Sequence, residues 1–122
     1  MIRLGTALKT TEPPFHRSLI ISDPESNGGQ VVLVRVTTDD GTWPDRDCII
    51  TPAEWIELEH ASTVAYTTCK YGPAVQALEA AIRAGKFDLI ASPSQGVLRK
   101  VIAAAHTAAG MPPAAKKLLA RF

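Results

Sequence analysis

FHRSLIISDPESNGGQVVLVRVTTDDG, residues 15–41, holds two apolar runs separated by a cluster of turn-forming residues. Within DPESNGGQ (residues 23–30), Pro24 fixes φ and Gly28-Gly29 admits positive φ, which is what a chain reversal requires. Leu19, Ile20 and Ile21 therefore read as one strand, and residues 31–36 as its antiparallel partner. Reversal at this loop carries the polar outer ends together, His16 and Arg17 on one strand and Thr37 and Thr38 on the other. Directly opposed residues in such a pair lie about 4.5 to 5.5 Å apart at Cβ. Period-two geometry places Val32, Val34, Val36 and Thr38 on one face, the expected core face, and Val31, Leu33, Arg35 and Thr37 on the other.

Working outward, the first half continues in the β pattern. Short strands are expected at residues 1–4 and 6–9, at RDCII (46–50) and at STVAYTTC (62–69), separated by turn clusters such as TTEPP and DDGTWPD. This spacing favours a small barrel or a curled antiparallel sheet. In TPAEWIELEH (51–60), Thr51 as N-cap, Pro52 at the first helical position and Glu54 three residues after the cap predict one or two helical turns.

After Tyr71-Gly72 the period changes to that of a helix. In residues 72–87, Val75, Leu78, Ala81 and Ile82 form one stripe that Gly85 ends. In residues 92–110, Ser92 as cap leads to a stripe of Val97, Leu98, Val101, Ile102 and Ala105, stopped by Gly110. A third helix is expected from Pro112 through Leu118 and Leu119. The reading is an α+β fold, one domain over residues 1–122, with a β-barrel part (1–71) and a helical part (72–122). All three stripes are expected to be core faces.

With 122 residues the chain is the size of one compact domain. Thirteen basic and twelve acidic side chains leave a net charge of +1, so any nucleic-acid site must be local. No segment has the length and apolarity of a membrane span or an export signal, so a cytoplasmic protein with no membrane partner is expected. Cys48 and Cys69 would then stay reduced, as small apolar strand residues. Three histidines, at 16, 60 and 106, without C-x-x-C or H-E-x-x-H spacing predict neither metal nor cofactor.

Among the polar residues, strand threonines and a snorkelling Arg35 need no function of their own. Together, however, Arg17, the threonine pair and His16 supply cationic donors, hydroxyls and a possible proton acceptor. His60 lies between a predicted helix and a strand, where bonding to loop backbone would account for it. Trp55 reads as a core anchor, and Lys116, Lys117 and Arg121 as a solvated basic face.

At these residues the sequence resembles the MazF/PemK family of toxin endoribonucleases. The matching pieces are IRLGTAL, HRSLIISDP and VVLVRVTTDDG, with RDCIITPAEW and EHASTVAY pointing to a PemK-like subgroup that carries a helical tail. The resemblance spans roughly residues 2 to 70. It implies a small SH3-like antiparallel barrel, commonly a homodimer, that cleaves single-stranded RNA without metal and is held inactive by a small antitoxin. Carried over, Arg17 matches the arginine of proton transfer and transition-state stabilisation, and Thr37 the strand-end threonine that holds the reacting phosphate. Arginine is a poor base near neutral pH, which leaves His16 or His60 to accept the proton. Thr38, Arg35, His60 and Lys9 are the expected RNA contacts. The alternative reading is a barrel without catalysis, retained as a nucleic-acid or protein binding module.

Overall fold

The computed structural model describes residues 2–120. Six strands form one antiparallel sheet: β1 (Ala7–Thr10), β2 (Arg17–Ile20), β3 (Gln30–Thr38), β4 (Ile49–Ile50), β5 (Ser62–Ala74) and β6 (Phe87–Ile90). Their spatial order is β4-β5-β3-β2-β1-β6. Among the described residues three helices accompany it, α1 (Val75–Arg83), α2 (Gln95–Thr107) and the single turn α3 (Pro113–Lys116).

The reversal between β2 and β3 forms as its residues dictate. Gly28 and Gly29 take φ of 78° and 86°, conformations that a side chain would strain. The Gly29 amide donates to the Pro24 carbonyl at 2.8 Å, and the Asn27 side chain accepts from the Gln30 amide at 2.9 Å. The resulting register pairs Arg17 with Val36, Ser18 with Arg35, Leu19 with Val34 and Ile20 with Leu33.

Alternation along β3 then fills two cores. Val32, Val34 and Val36 join Leu19, Val64 and Tyr66 in the larger cluster, which the α2 stripe of Val97, Leu98, Val101, Ile102 and Ala105 seals. The Tyr66 hydroxyl, buried there, donates to the Val101 carbonyl at 2.6 Å and so fixes α2 on the sheet. Across the sheet, Val31 packs with Ile2 and Ile20 in a smaller cluster, with Val75, Leu78 and Ile82 of α1 against it. No α1 residue is fully buried, so its stripe is a partial cover and not the core face expected.

Other expectations shift for local reasons. Residues 2–4 form no strand, because the chain turns at Leu4-Gly5 with Gly5 at φ 87°; Met1 lies outside the described residues, as does Arg121 of the basic tail. TPAEWIELEH forms turns instead of a helix. Its capping box begins, with Glu54 Oε1 accepting from the Thr51 amide at 3.1 Å, but Trp55 and Leu58 must both reach the core. The Trp55 indole N–H donates to the Ala91 carbonyl at 2.7 Å, fixing that anchor.

RDCII yields only the two residues of β4. β5 runs past the expected boundary at residues 71–72, since Gln30 pairs with Ala74. β6 lies inside the part read as helical, where its four residues carry no alternating pattern of burial. Ser94, not Ser92, caps α2 by accepting from the Val97 amide at 3.2 Å. The third helix stops at Lys116, because a bridge from Leu119 to Ser22 and an Ala120 amide bond to Ile21 pull the chain back to the sheet.

Candidate active site

The register divides the constellation of polar residues between the two faces of the sheet. Neighbours along a strand point to opposite faces, and Arg17, paired with Val36 on β3 and Lys9 on β1, shares the face of the larger core. Thr38 is on that face, two residues beyond Val36, exposed at the strand end and opposite Ser62 of β5. Arg17 is half-buried, and its Nε is fully buried without a hydrogen-bond partner. A buried donor left unpaired costs free energy; it is the guanidinium beyond that Nε, on a side chain only half-buried, that can donate to a ligand oxygen.

Lys9 holds its ammonium 5.2 Å from the centre of the Phe15 ring, a cation–π contact at the same sheet end. His60 is exposed in the loop leading into β5, and its carbonyl accepts from the Ser62 hydroxyl at 2.9 Å. The Asp39 amide bonds the Ala61 carbonyl at 2.9 Å, tying that loop to the chain just after Thr38. Arg17, Thr38 and Lys9 thus share one sheet face, with His60 two residues from the one that opposes Thr38.

His16, Arg35 and Thr37 belong to the other face, so Thr37 does not share a surface with Arg17. Ser18 stands opposite Arg35 and Leu33 opposite Lys70. β5 spends Ala65 to Lys70 where β3 spends only Arg35 to Leu33, and this bulge puts Thr68 and Lys70 beside Arg35. A cleft of about 140 Å³ results, edged by His16, Arg35 and Lys70, with the Ser18 and Thr68 hydroxyls and the Phe87 ring. Burial, and secondarily the Arg35 charge, hold the His16 imidazole below its ordinary pKa of 6.5, favouring the neutral ring. Among the described residues neither Arg35 nor Lys70 is paired with a carboxylate.

Lys70, Thr68 and Phe87 escaped sequence reasoning, the first two because a bulge leaves no periodic signal and Phe87 because β6 was not foreseen. Ser18 could have been found by counting two residues from His16. Neither cysteine is placed for nucleophilic work: Cys48 is buried with its thiol pushed up by that burial, and burial pushes Cys69 up to about 11. Among the described residues no three His, Cys, Asp or Glu side chains gather into a metal-binding group, and no helix is long and apolar enough to cross a membrane.

No protein-family model and no curated protein matches the sequence. The fold does match solved structures. Crystal structures of MazE-MazF from Deinococcus radiodurans, Form-II and Form-III, contain chains that superpose with TM-scores of 0.56 and 0.55 at 18% identity. The match covers 91% of this chain and 97% and 98% of those chains. The α+β architecture is therefore MazF-like.

Proposed function

We propose that the protein is the toxin of a toxin–antitoxin pair, an endoribonuclease that cleaves single-stranded RNA without a metal. One observation carries the reading: Arg17, a half-buried cation with no carboxylate partner among the described residues, stands on the same sheet face as exposed Thr38 in a MazF-like fold. RNA brings its own nucleophile. Cleavage requires the 2′-OH to be aligned with phosphorus, its proton removed and the charge on the phosphoryl oxygens neutralised.

The Arg17 guanidinium donates in parallel to two phosphoryl oxygens, and Thr38 replaces Thr37 as the hydroxyl that orients them. His60, adjoining the loop that follows Thr38 in space, accepts the 2′-OH proton. The 2′-oxygen bonds to phosphorus as the bond to the 5′-oxygen breaks, and the leaving 5′-oxygen takes a proton from solvent. The products are a 2′,3′-cyclic phosphate and a 5′-hydroxyl. Lys9 and its neighbours bind the strand, a small antitoxin covers this sheet end, and the toxin acts as a homodimer in the cytoplasm.

The test is single-turnover cleavage of a long mixed-sequence RNA in EDTA. Arg17→Ala should lose roughly 100-fold or more, comparable to removing one preorganised donor, and Thr38→Val should lose less. Equal cleavage by wild type and Arg17→Ala would place the chemistry elsewhere. No cleavage by either would leave the barrel a binding module.

A further inference from the structure

We propose that the cleft on the opposite face, with the pocket it adjoins, is a binding site for a guanine nucleotide. The two cavities share Thr10 and Phe87 as lining residues, so they adjoin across these two side chains, and the proposed ligand would span them. The cleft is the phosphate end. Arg35 and Lys70 line it without carboxylate partners among the described residues, together with Ser18 and with Thr68, whose hydroxyl already donates to the Ala65 carbonyl at 2.7 Å. At about 140 Å³ it suits a phosphate and not a whole nucleotide.

The adjoining pocket is the base end. Its volume of about 500 Å³ lies in the range that holds drug-sized ligands. Pro13, Pro14 and Phe87 supply apolar walls, while Glu12 and Lys86 supply one charge of each sign. The walls are tied together before any ligand arrives. The Thr11 hydroxyl donates to the Gly85 carbonyl at 2.7 Å, and the Thr11 amide to the Lys86 carbonyl at 3.3 Å. Thr10 joins pocket to cleft, its hydroxyl accepting from the His16 amide at 2.8 Å.

Hydrogen-bonding chemistry selects the base. A carboxylate offers two acceptors side by side, and guanine alone among the four bases presents two adjacent donors, N1–H and the N2 amino group, on its pairing edge. Glu12 is exposed, leaving its carboxylate available to such a pair, and the Lys86 ammonium complements the guanine O6. Adenine would set an acceptor against the carboxylate.

The phosphate-bearing guanosine comes either free or within an RNA strand, and the experiment separates these sources. The full-length protein is titrated with guanosine 5′-monophosphate, adenosine 5′-monophosphate, and 2′-O-methyl hexanucleotides with and without one guanine, with amide shifts recorded by NMR. The guanine nucleotide should move the Thr11, Gly85 and Lys86 amides and bind about tenfold more tightly than the adenine one, the discrimination of a single bidentate contact. Glu12→Gln should bring the two within about twofold, whereas Arg35→Ala should weaken both alike. A hexanucleotide that binds more tightly than the mononucleotide assigns the site to RNA, and equal affinity assigns it to free nucleotide.

Equal binding of the two mononucleotides by wild type, shifts that miss residues 11, 85 and 86, or a guanine preference that survives Glu12→Gln would each overturn the proposal. Cleavage is judged separately, because Arg17→Ala should leave the nucleotide affinity unchanged. A protein that discriminates guanine yet cuts no RNA removes the nuclease reading and keeps this site.

Discussion

Gly110, where the chain leaves α2, offers a sharp test of how the helical region supports the sheet. A Cβ at this position would lie 2.6 Å from Thr67 Cγ2, 3.0 Å from Asp45 Oδ1 and 3.2 Å from the Thr67 amide. These atoms form a joint: buried Asp45 accepts from the Thr67 amide at 3.2 Å and the Thr67 hydroxyl at 2.6 Å, and its carbonyl accepts from Thr63 at 2.6 Å. Carbon atoms rest about 3.5 to 4.0 Å apart, so Gly110→Ala displaces β5 or the helical region by roughly 1 Å. Overpacking of this kind costs about 1 to 3 kcal/mol, and loosened bonds to a buried carboxylate push the cost toward the upper end. The melting temperature should fall by roughly 8 to 12 °C. Thr67→Ser removes Cγ2 and keeps the hydroxyl bond; at this exposed position it should cost about 0.5 kcal/mol or less. The double variant should recover about 1 kcal/mol relative to the sum of the single changes, measured by urea denaturation of all four proteins. Additivity within about 0.5 kcal/mol would refute the clash.

Val101→Asp should lower stability by about 3 to 5 kcal/mol in the same assay, because it places an unpaired charge in a fully buried position beneath Tyr66. Affinity of the cleft for a 2′-O-methyl dinucleotide should rise as pH falls below 6.5, since His16, kept neutral by burial and Arg35, then becomes a third cation; isothermal titration across pH should show this rise in wild type and not in His16→Gln. The ligand-free protein should lose stability on the same acidification, because a depressed native pKa means that the unfolded chain takes up the proton first; denaturation at pH 7.5 and 5.5 should show a smaller loss in His16→Gln.

What the sequence made legible follows from how local each signal is. The hairpin was readable because its determinants, Pro24, the two glycines and the flanking valines, all lie within one short stretch and agree with one another. The α2 stripe was readable because helical period is a property of that segment alone, and each of its five residues is buried. β6 was not, since it lies at the sheet edge and, among the described strands, pairs with β1 alone. Only tertiary pairing makes Phe87–Ile90 a strand. The capping box at Thr51 was chemically correct and structurally overruled, because two buried side chains, Trp55 and Leu58, set the path of the backbone.

The site was legible in its members and not in its partition. Residues 16, 17, 37 and 38 do meet at one end of a hairpin, but nearness along the ladder does not decide which of them can hold one ligand. That depends on the register: Arg17 opposite Val36 forces Arg17 and Thr38 to one face and Arg35 and Thr37 to the other. A shift of one residue would have exchanged the threonines, and nothing local in DPESNGGQ settles the shift, because the loop length and its bulges are resolved only when both cores pack. Lys70 shows the same dependence more strongly. It reaches Arg35 because β5 bulges between Ala65 and Lys70, and the bulge sits where Asp45 holds Thr67. The charge pattern of the cleft is therefore set by a buried aspartate from a distant loop and by a glycine after α2, neither of which carries any nucleic-acid signature in the sequence.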